Sequence, residues 1–525
     1  MGLSVRHYLS GHDRDRSLLW PGAHHWSPAV RVLWKGITPV LITEELFVGG
    51  EWLIGSSQQW IDVVCPSTEK RLGRVVVPTF RELDRAVEAA RDAFDHGPWP
   101  RMSIQERAVH LQEALTTFEE KYLETAIAMQ VDETGAPVSF TRATTTALTT
   151  LLDRLVEYAG DVSLSETRRG LTGQVRVLRE PLGVVAAIVP WNAPILAAAT
   201  KLFPSLLMGC PTVLKTAPQA PFSAYLLAQA LGDAGLPPGV VSILPGGNDV
   251  GSYLISHPQV DSVTFIGSTE TGRKIAAVCG HQLKSVSCEL GGKSAAILAE
   301  GADIAKHLPA LISHSLTHNG QLHNATSRLL VHHSQAADFR DALVDAVAAM
   351  PIGDPHDPAT EIGPLVSDRH RNRIEGYVAS GQAQGAKLVY GGTRPAHLPV
   401  GYYLQPAIFC DVRNDMAIAR DEIFGPVLAV ITYADEAEAI QLANDSSYGL
   451  GGSVYADDPQ HALHLAGQLQ TGTCAVNDAP FAGGGGPFGG AKASGLGREG
   501  GREGLYRYLQ VKSIALPASW PAETA

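Results

Sequence analysis

The chain has 525 residues, which is enough for about three domains or lobes of ordinary size. Apolar residues make up 45% of it and charged residues 18%, which is typical of a soluble globular protein. The net charge of −12, the lack of a basic stripe and the lack of a long uninterrupted apolar run argue against nucleic-acid binding and against a membrane span.

The first 45 residues show no feature of a targeting signal. They contain no apolar core of a secretory leader, and Asp13 and Asp15 are unlike a mitochondrial one. A myristoylation signal would need Ser or Thr where Arg6 stands. We predict that residues 1–45 are a poorly ordered extension and that the globular fold begins near residue 46.

Two capping boxes predict the first helices. Thr79 and Glu82 precede an amphipathic segment that ends by Gly97, and Ser103 and Glu106 precede a longer segment. In this motif the hydroxyl and the carboxylate each satisfy a free backbone amide at the helix start. We predict that the second helix is continuous to about Gly135.

Short apolar runs then alternate with helical segments. The predicted buried strands are residues 183–190, 212–215, 241–244 and 262–266, and the predicted helices between and after them are 222–233 and 269–278. This alternation indicates an α/β fold with a parallel, doubly wound sheet, which binds ligands at the carboxyl ends of its strands. A polar, alternating segment at 159–181 predicts an exposed hairpin with a partner strand at 511–516, of the kind that often serves subunit contact.

The six cysteines are scattered and form no CxxC pair. We therefore predict neither a disulfide framework nor a metal site, and we expect a cytoplasmic protein. The six residues are Cys65, Cys210, Cys279, Cys288, Cys410 and Cys474.

Two segments have the character of binding loops. At 265–272 a strand ends at Gly267 and Ser268 opens a helix, whose free amides can bind a pyrophosphate. At 190–194 the amide of Asn192, fixed between prolines, can donate to a developing oxyanion. Taken alone, each segment is more often a capped helix or a turn.

Two further segments carry acidic residues. Glu289 ends an apolar strand before two glycines, where partial burial would raise its pKa toward that of a general base. Glu422 can accept hydrogen bonds from ribose hydroxyls, and Phe424 can pack against a flat ring. The alternatives are a paired structural glutamate and an ordinary turn.

In this order and spacing, the four segments resemble the aldehyde dehydrogenase superfamily. Lys215 and the segments 319–328 and 487–498 also match, and the resemblance covers roughly 46–516. It implies a Rossmann-type cofactor domain, an α/β catalytic domain, a small β oligomerisation arm and assembly into a homodimer or homotetramer. The implied ranges are 46–158 and 182–290 for the cofactor domain, 291–492 for the catalytic domain, and 159–181 and 493–525 for the arm and C-terminal tail.

The resemblance also implies roles for individual residues. Asn192 and the backbone at position 323 would form the oxyanion hole, Glu289 would activate water, and Lys201 matches a further site lysine. The cofactor would be NAD or NADP and the substrate an aldehyde. The positions implied for cofactor binding are Trp191, Lys215, Gly247, Gly267, Ser268, Leu290, Glu422 and Phe424.

Several positions depart from the family pattern. Pro218 stands where many members carry a glutamate that selects NAD over NADP, so both cofactors stay open, with NAD preferred. Ala193, Ala197 and Thr200 stand where many members carry larger side chains. A wider tunnel, suited to a bulky or aromatic aldehyde, is our hypothesis.

The main departure is His323, which occupies the position of the catalytic cysteine. The family reaction needs a thiolate that attacks the aldehyde, whereas an imidazole is bulkier and would have to form an acyl-imidazole. No neighbouring thiol replaces it, because strand alternation points Cys288 away from the face of Glu289.

Three interpretations of His323 remain open. It can be a substitution that blocks covalent catalysis in an NAD(P)-dependent aldehyde dehydrogenase, which is the interpretation we prefer. The chain can instead be a non-catalytic dinucleotide-binding or scaffolding protein. In the third, His323 is a base that acts on the hydrated aldehyde.

Overall fold

The computed structural model describes residues 30–35, 38–479 and 486–520. Its first element is a four-stranded sheet that includes part of the predicted N-terminal extension. The strands, in spatial order, are Val30–Lys35, Thr38–Thr43, Arg71–Val76 and Trp60–Val64.

The prediction that residues 1–45 are poorly ordered is therefore wrong for the two segments 30–35 and 38–43. The second strand pairs in parallel with Arg71–Val76, and its residue Leu41 is buried opposite Gly73. This pairing joins residues about 30 apart in the chain, so local sequence gives little sign of it. Residues 1–29 and 36–37 lie outside the described part of the chain.

The first of two large sheets has eight strands. Its strands, in spatial order, are Gly495–Leu496, Ser285–Glu289, Ser262–Ile266, Val185–Ile188, Thr212–Thr216, Val241–Pro245, Glu45–Val48 and Glu51–Ile54. The second to sixth of these run parallel to one another and are largely buried. This confirms the predicted doubly wound parallel sheet. Gly495–Leu496, within the range 493–525 that the resemblance assigns to the arm and tail, pairs with the strand that carries Glu289.

Helices cover both faces of this sheet. They are Phe80–Asp95, Ile104–Lys121, Leu123–Thr134, Val138–Gly160, Pro194–Leu207, Phe222–Asp233, Asn248–Ser256 and Thr269–His281. Both predicted capping boxes are present, at Thr79 and at Ser103. The continuous helix predicted to reach Gly135 is wrong, because the chain breaks at Tyr122 (φ −121°). There the phenol donates a hydrogen bond to the carboxylate of Asp233 (2.9 Å), a tertiary contact that local pattern cannot reveal.

The second large sheet has seven strands. Its strands, in spatial order, are Lys387–Tyr390, Ala407–Cys410, Val427–Tyr433, Thr326–His332, Ser294–Leu298, Gly452–Tyr455 and Ala475–Val476. Its helices are Ile304–Leu316, Ala336–Ala348, Asp368–Ala383, Ala417–Arg420, Glu436–Asn444 and Pro459–Ala466. The short strands Tyr448–Gly449 and Ala491–Lys492 pair beside it. Across the described ranges, no helix has both the length and the apolar character needed to cross a bilayer.

A three-stranded antiparallel sheet forms the arm. Leu509–Leu516 pairs with Gln174–Pro181, which pairs with Ser165–Arg169. This confirms the predicted hairpin and its late partner strand, although the hairpin starts a few residues later than 159 because the helix Val138–Gly160 continues to that point. A short helix, Gly501–Tyr506, leads into the arm.

Candidate active site

The site lies where the parallel strands of the eight-stranded sheet end. Asn192 follows the strand Val185–Ile188, Ser268 follows Ser262–Ile266, and Glu289 is the last residue of its strand. The backbone amide of Gly267 donates to the carbonyl of Glu289 (3.1 Å), which joins two of these strand ends. Parallel strands place their carboxyl ends on one edge, so the predicted residues are brought together there.

The segment that carries His323 turns sharply before it reaches the site. His318, Asn319 and Gly320 all have left-handed backbones, with φ of 52°, 57° and 67°. A side chain at Gly320 would collide with the backbone of Gly425, so the turn needs glycine at this position. The side-chain Nδ2 of Asn319 donates to the backbone carbonyl of Gly363 (3.0 Å). This hydrogen bond holds the turn against the segment that precedes the helix Asp368–Ala383.

Asn192 is fixed against this segment. Its Nδ2 donates to the carbonyl of Gln321 (2.9 Å), and the side chain of Asn192 is buried. A carboxamide nitrogen has two hydrogens, so one can still donate to a substrate oxygen. The contact brings Asn192 within reach of the position that His323 occupies.

The imidazole of His323 is partly buried and lies beside the ring of Phe488. Its Nε2 is inaccessible to solvent and makes no hydrogen bond to the described residues. The ring packs edge-on against Phe488, with centroids 5.7 Å apart. Burial, and then the charge of Lys201, lower the pKa of His323 to about 4, so the ring is neutral near pH 7.

Glu289 is the second buried group of the site. Neither carboxylate oxygen has a hydrogen-bond partner among the described residues. Burial raises its pKa to about 8, and the charges of Lys201, Arg498 and Arg507 oppose the shift. A Cβ at Gly489 would lie 2.7 Å from the Oε1 of Glu289, so only glycine leaves room for the carboxylate.

Lys201 forms an ion pair that the sequence analysis did not include. The ammonium lies against the carboxylate of Glu499, and both side chains are nearly inaccessible to solvent. Burial, with the nearby charge of Arg507, lowers the pKa of Lys201 to about 7. Glu499 follows directly after the matched segment 487–498, and its acidic charge beside that segment was the available signal. Its backbone also pairs with that of Phe488 through two hydrogen bonds of 2.7 Å.

Cys288 does not face the site. Its sulfur points to the carbonyl of Gly272 (3.9 Å), on the helix that packs against the strand. Burial raises the pKa of the thiol to about 11, which disfavours the thiolate. The position agrees with strand alternation, and this cysteine is no substitute nucleophile.

The implied ribose-binding residues, Lys215 and Glu422, lie near the carboxyl ends of two different strands, Thr212–Thr216 and Ser285–Glu289. The Nζ of Lys215 donates to the carbonyls of Thr216 (3.0 Å) and Gly246 (2.7 Å), beside the start of the helix Asn248–Ser256. Burial lowers the pKa of Lys215 to about 8. Near the other strand end, Glu422 accepts from the backbone amide of Gly292 (3.2 Å).

Features between these ends fit a dinucleotide. The helix Asn248–Ser256 begins at Gly247 without a side-chain cap, and Ser268 begins the next helix. A side chain at Gly291 would collide with the carboxylate of Glu422, so the backbone under that acid stays open. Free helix amides suit phosphate oxygens, and a carboxylate suits ribose hydroxyls.

Apolar and aromatic side chains complete the cleft. Trp191 and Phe424 pack edge to face at 5.6 Å, and the Nε2–H of His370 donates to the carbonyl of Phe424 (2.7 Å). His370 is a further residue that the sequence analysis missed, because it lies far along the chain on another helix. The amide of Leu290 donates to the carbonyl of Ser494 (2.9 Å), which fixes Leu290 beside the strand end.

Comparisons with known proteins agree with this geometry. The family model described as "Aldehyde dehydrogenase family" matches residues 52–514. A geranial dehydrogenase of Castellaniella defragrans is 39% identical over 476 residues, which are 90% of this chain and 98% of that protein. A 3-succinoylsemialdehyde-pyridine dehydrogenase of Pseudomonas sp is 39% identical over 480 residues, again 90% of this chain and 98% of the relative.

A solved structure agrees in fold as well as in sequence. The crystal structure of a Mycobacterium tuberculosis aldehyde dehydrogenase complexed with NAD+ superposes with a TM-score of 0.89 and 41% identity. The match covers 92% of this chain and 99% of that one. The chain belongs to the aldehyde dehydrogenase family of NAD(P)-dependent oxidoreductases.

Proposed function

We propose that this protein binds NAD(P) and an aldehyde as its family does, and that His323 blocks the covalent route of oxidation. The observation that carries the proposal is the neutral imidazole at the nucleophile position, with a solvent-inaccessible Nε2, in a site that also contains Asn192 and Glu289. A thiolate is a strong nucleophile whose acyl product stays reactive, whereas a neutral imidazole with a lowered pKa is a weak one. We expect cofactor binding to persist and turnover to be severely reduced.

The cofactor residues divide by the part of the dinucleotide that each suits. Lys215 and Glu422 would hold the two riboses, and the helix starts at Gly247 and Ser268 would bind the pyrophosphate. Trp191, Leu290 and Phe424 would contact the nicotinamide end, and Gly267 would contribute to phosphate binding. When bound, the oxidised cofactor would itself be the oxidant of the aldehyde. We prefer NAD, in line with the NAD+ complex of the solved relative, although Pro218 does not supply the acidic selector.

The remaining site residues would bind the aldehyde oxygen, transfer protons or stabilise developing charge. The second hydrogen of the Asn192 amide and the backbone amide of His323 would hold the aldehyde oxygen. Glu289 would exchange protons with water at a pH near its raised pKa of about 8. Lys201, paired with Glu499, would stabilise negative charge that develops beside them.

The substrate is proposed to be a bulky or aromatic aldehyde. Ala193 immediately precedes the helix Pro194–Leu207, on which Ala197 and Thr200 lie, and the Thr200 hydroxyl donates a hydrogen bond to the carbonyl of Ala197 (3.0 Å). This face therefore presents small side chains. Two relatives are named for geranial and for a pyridine-bearing semialdehyde, which agrees with the proposal.

The implied domains and assembly are also proposals. The edge strand Leu509–Leu516 exposes Val511 and Ile514, and an apolar edge of this kind is a pairing site. A homodimer or homotetramer through the arm would cover it. All six cysteines are free, which supports a cytoplasmic location.

The test compares NAD(P)H formation by this protein and by His323→Cys, across short, long and aromatic aldehydes. We expect turnover only in the variant, and more with larger aldehydes. His333→Cys is the matched control, because it adds a thiol at an exposed histidine outside the site. Turnover of about 1 per second or more by the unaltered protein would contradict the proposal. If neither protein turns over and neither binds the cofactor, a scaffolding role replaces the enzyme.

A further inference from the structure

We infer that the pair Glu289 and His323 gives this protein an activity that needs no cofactor: the reversible hydration of aldehydes to geminal diols. The inference rests on the proposed function only in that the same site must admit an aldehyde. In it, a water molecule attacks the carbonyl carbon, where the family reaction uses a cysteine.

The first support is a group of unsatisfied polar atoms. Both carboxylate oxygens of Glu289 and the Nε2 of His323 are buried, and none has a hydrogen-bond partner among the described residues. Polar atoms buried this deeply are normally hydrogen-bonded to protein or to ordered water. The group is therefore suited to take up a small molecule that both donates and accepts.

The side chains of His323 and Glu289 also lie against two consecutive residues, Phe488 and Gly489. The charge of Lys201 acts on the pKa of both groups, which also places them around one point. Asn192, hydrogen-bonded to Gln321, lies at the same segment and can hold a carbonyl oxygen.

The third support is the chemistry of each group. A neutral imidazole accepts a hydrogen bond at its unprotonated nitrogen, so the Nε2 of His323 can orient one hydrogen of the water. A carboxylate whose pKa is near 8 is a stronger base than an ordinary glutamate, and it can take the other hydrogen. With no thiolate present, the carbonyl carbon stays free for attack by water.

The step balances without any oxidant. Glu289 removes a proton from water as the water oxygen forms a bond to the aldehyde carbon. The carbonyl π electrons move to the former carbonyl oxygen, held by Asn192, and the carboxyl of Glu289 then returns the proton to that oxygen. The product is the geminal diol, the carboxylate is regenerated, and the reverse reaction follows the same path.

The experiment follows oxygen exchange in benzaldehyde without any nicotinamide cofactor. The protein is mixed with the aldehyde in water enriched in the heavy oxygen isotope, and label in the recovered aldehyde is measured by mass spectrometry. We expect exchange well above the buffer rate, and a fall of about 100-fold in Glu289→Gln. His323→Phe keeps a ring but removes the acceptor nitrogen, and we expect a clear fall there too.

The exchange rate should also depend on pH in a defined direction. Because the ionised carboxylate is the base, the rate rises as pH passes through the pKa of Glu289 at about 8. Lys201, Arg498 and Arg507 are the charged groups that act on this pKa. The rise should be absent in Glu289→Gln.

The matched control is Glu51→Gln, at an exposed glutamate in the edge strand Glu51–Ile54. It should leave exchange unchanged. Exchange at the buffer rate in the unaltered protein, or an unchanged rate in folded Glu289→Gln, overturns the inference. Cofactor binding, measured separately by tryptophan fluorescence, and turnover in His323→Cys still report on the proposed function, so the two failures are distinguishable.

Discussion

At the scale of single residues, the site holds several ionisable side chains away from bulk solvent. Glu289 and Lys201 could be identified from the sequence because each lies in a recognisable segment, and the raised pKa of Glu289 followed from its place at the end of an apolar strand. Glu499 could not be assigned to Lys201, because the two meet only through folding. His370 was missed for the same reason.

Glu289 should lower the stability of the fold at alkaline pH. Its pKa rises from an ordinary 4.5 to about 8, so between these values the folded protein holds a proton that the unfolded chain loses, and stability falls as pH rises. Above pH 8 the full cost is present. Glu289→Gln should then raise the free energy of unfolding at pH 8.5 by about 1 kcal/mol or more, measured by urea denaturation. An equal or lower stability in the variant at that pH would contradict the argument, and Glu51→Gln serves as control.

At the scale of elements, helix starts that depend on neighbouring residues could be predicted, whereas element boundaries that depend on tertiary contacts could not. Both capping boxes are complete, since each depends on residues three apart. The break at Tyr122 was missed because it depends on Asp233, on a distant helix. The strand Thr38–Thr43 was missed although Val30–Lys35 pairs with it locally, and its other partner, Arg71–Val76, lies further along the chain.

The cap at Thr79 should contribute measurably to stability. Its hydroxyl accepts from the amide of Glu82 (3.3 Å), and the carboxylate of Glu82 accepts from the amide of Thr79 (2.7 Å). Thr79→Ala should lower the free energy of unfolding by about 1 kcal/mol, and Thr79→Ser should restore most of it. Thermal or urea denaturation monitored by circular dichroism measures both. An alanine variant as stable as the parent would show that the box is dispensable.

At the scale of the whole molecule, the α/β type of the two large sheets and the chain segments that form the arm could be predicted. The residues at which these units begin and end could not. The parallel sheet could be predicted because its buried strands are short, continuous apolar runs in the sequence. The pairing of Gly495–Leu496 with the strand of Glu289 could not be predicted, because two residues carry no periodicity that separates a sheet edge from a loop.

Subunit assembly should depend on the exposed edge of the arm. Val511→Lys and Ile514→Lys, made together, place charge on the edge strand and should shift the protein to smaller species. Light scattering coupled to gel filtration measures this, with Val109→Lys, at an exposed apolar residue of the helix Ile104–Lys121, as control. An unchanged molar mass in the double variant would show that the subunit interface does not include this edge strand.

The chain from Phe488 to Leu509 links the site to the arm. It contacts His323 through Phe488, makes room for Glu289 at Gly489, supplies Glu499 to Lys201, and then enters the arm at Leu509. The strand at the exposed edge of the arm is thus continuous with a segment that contacts three site residues. We therefore expect a tag or truncation near the C-terminus to perturb the site as well as the arm.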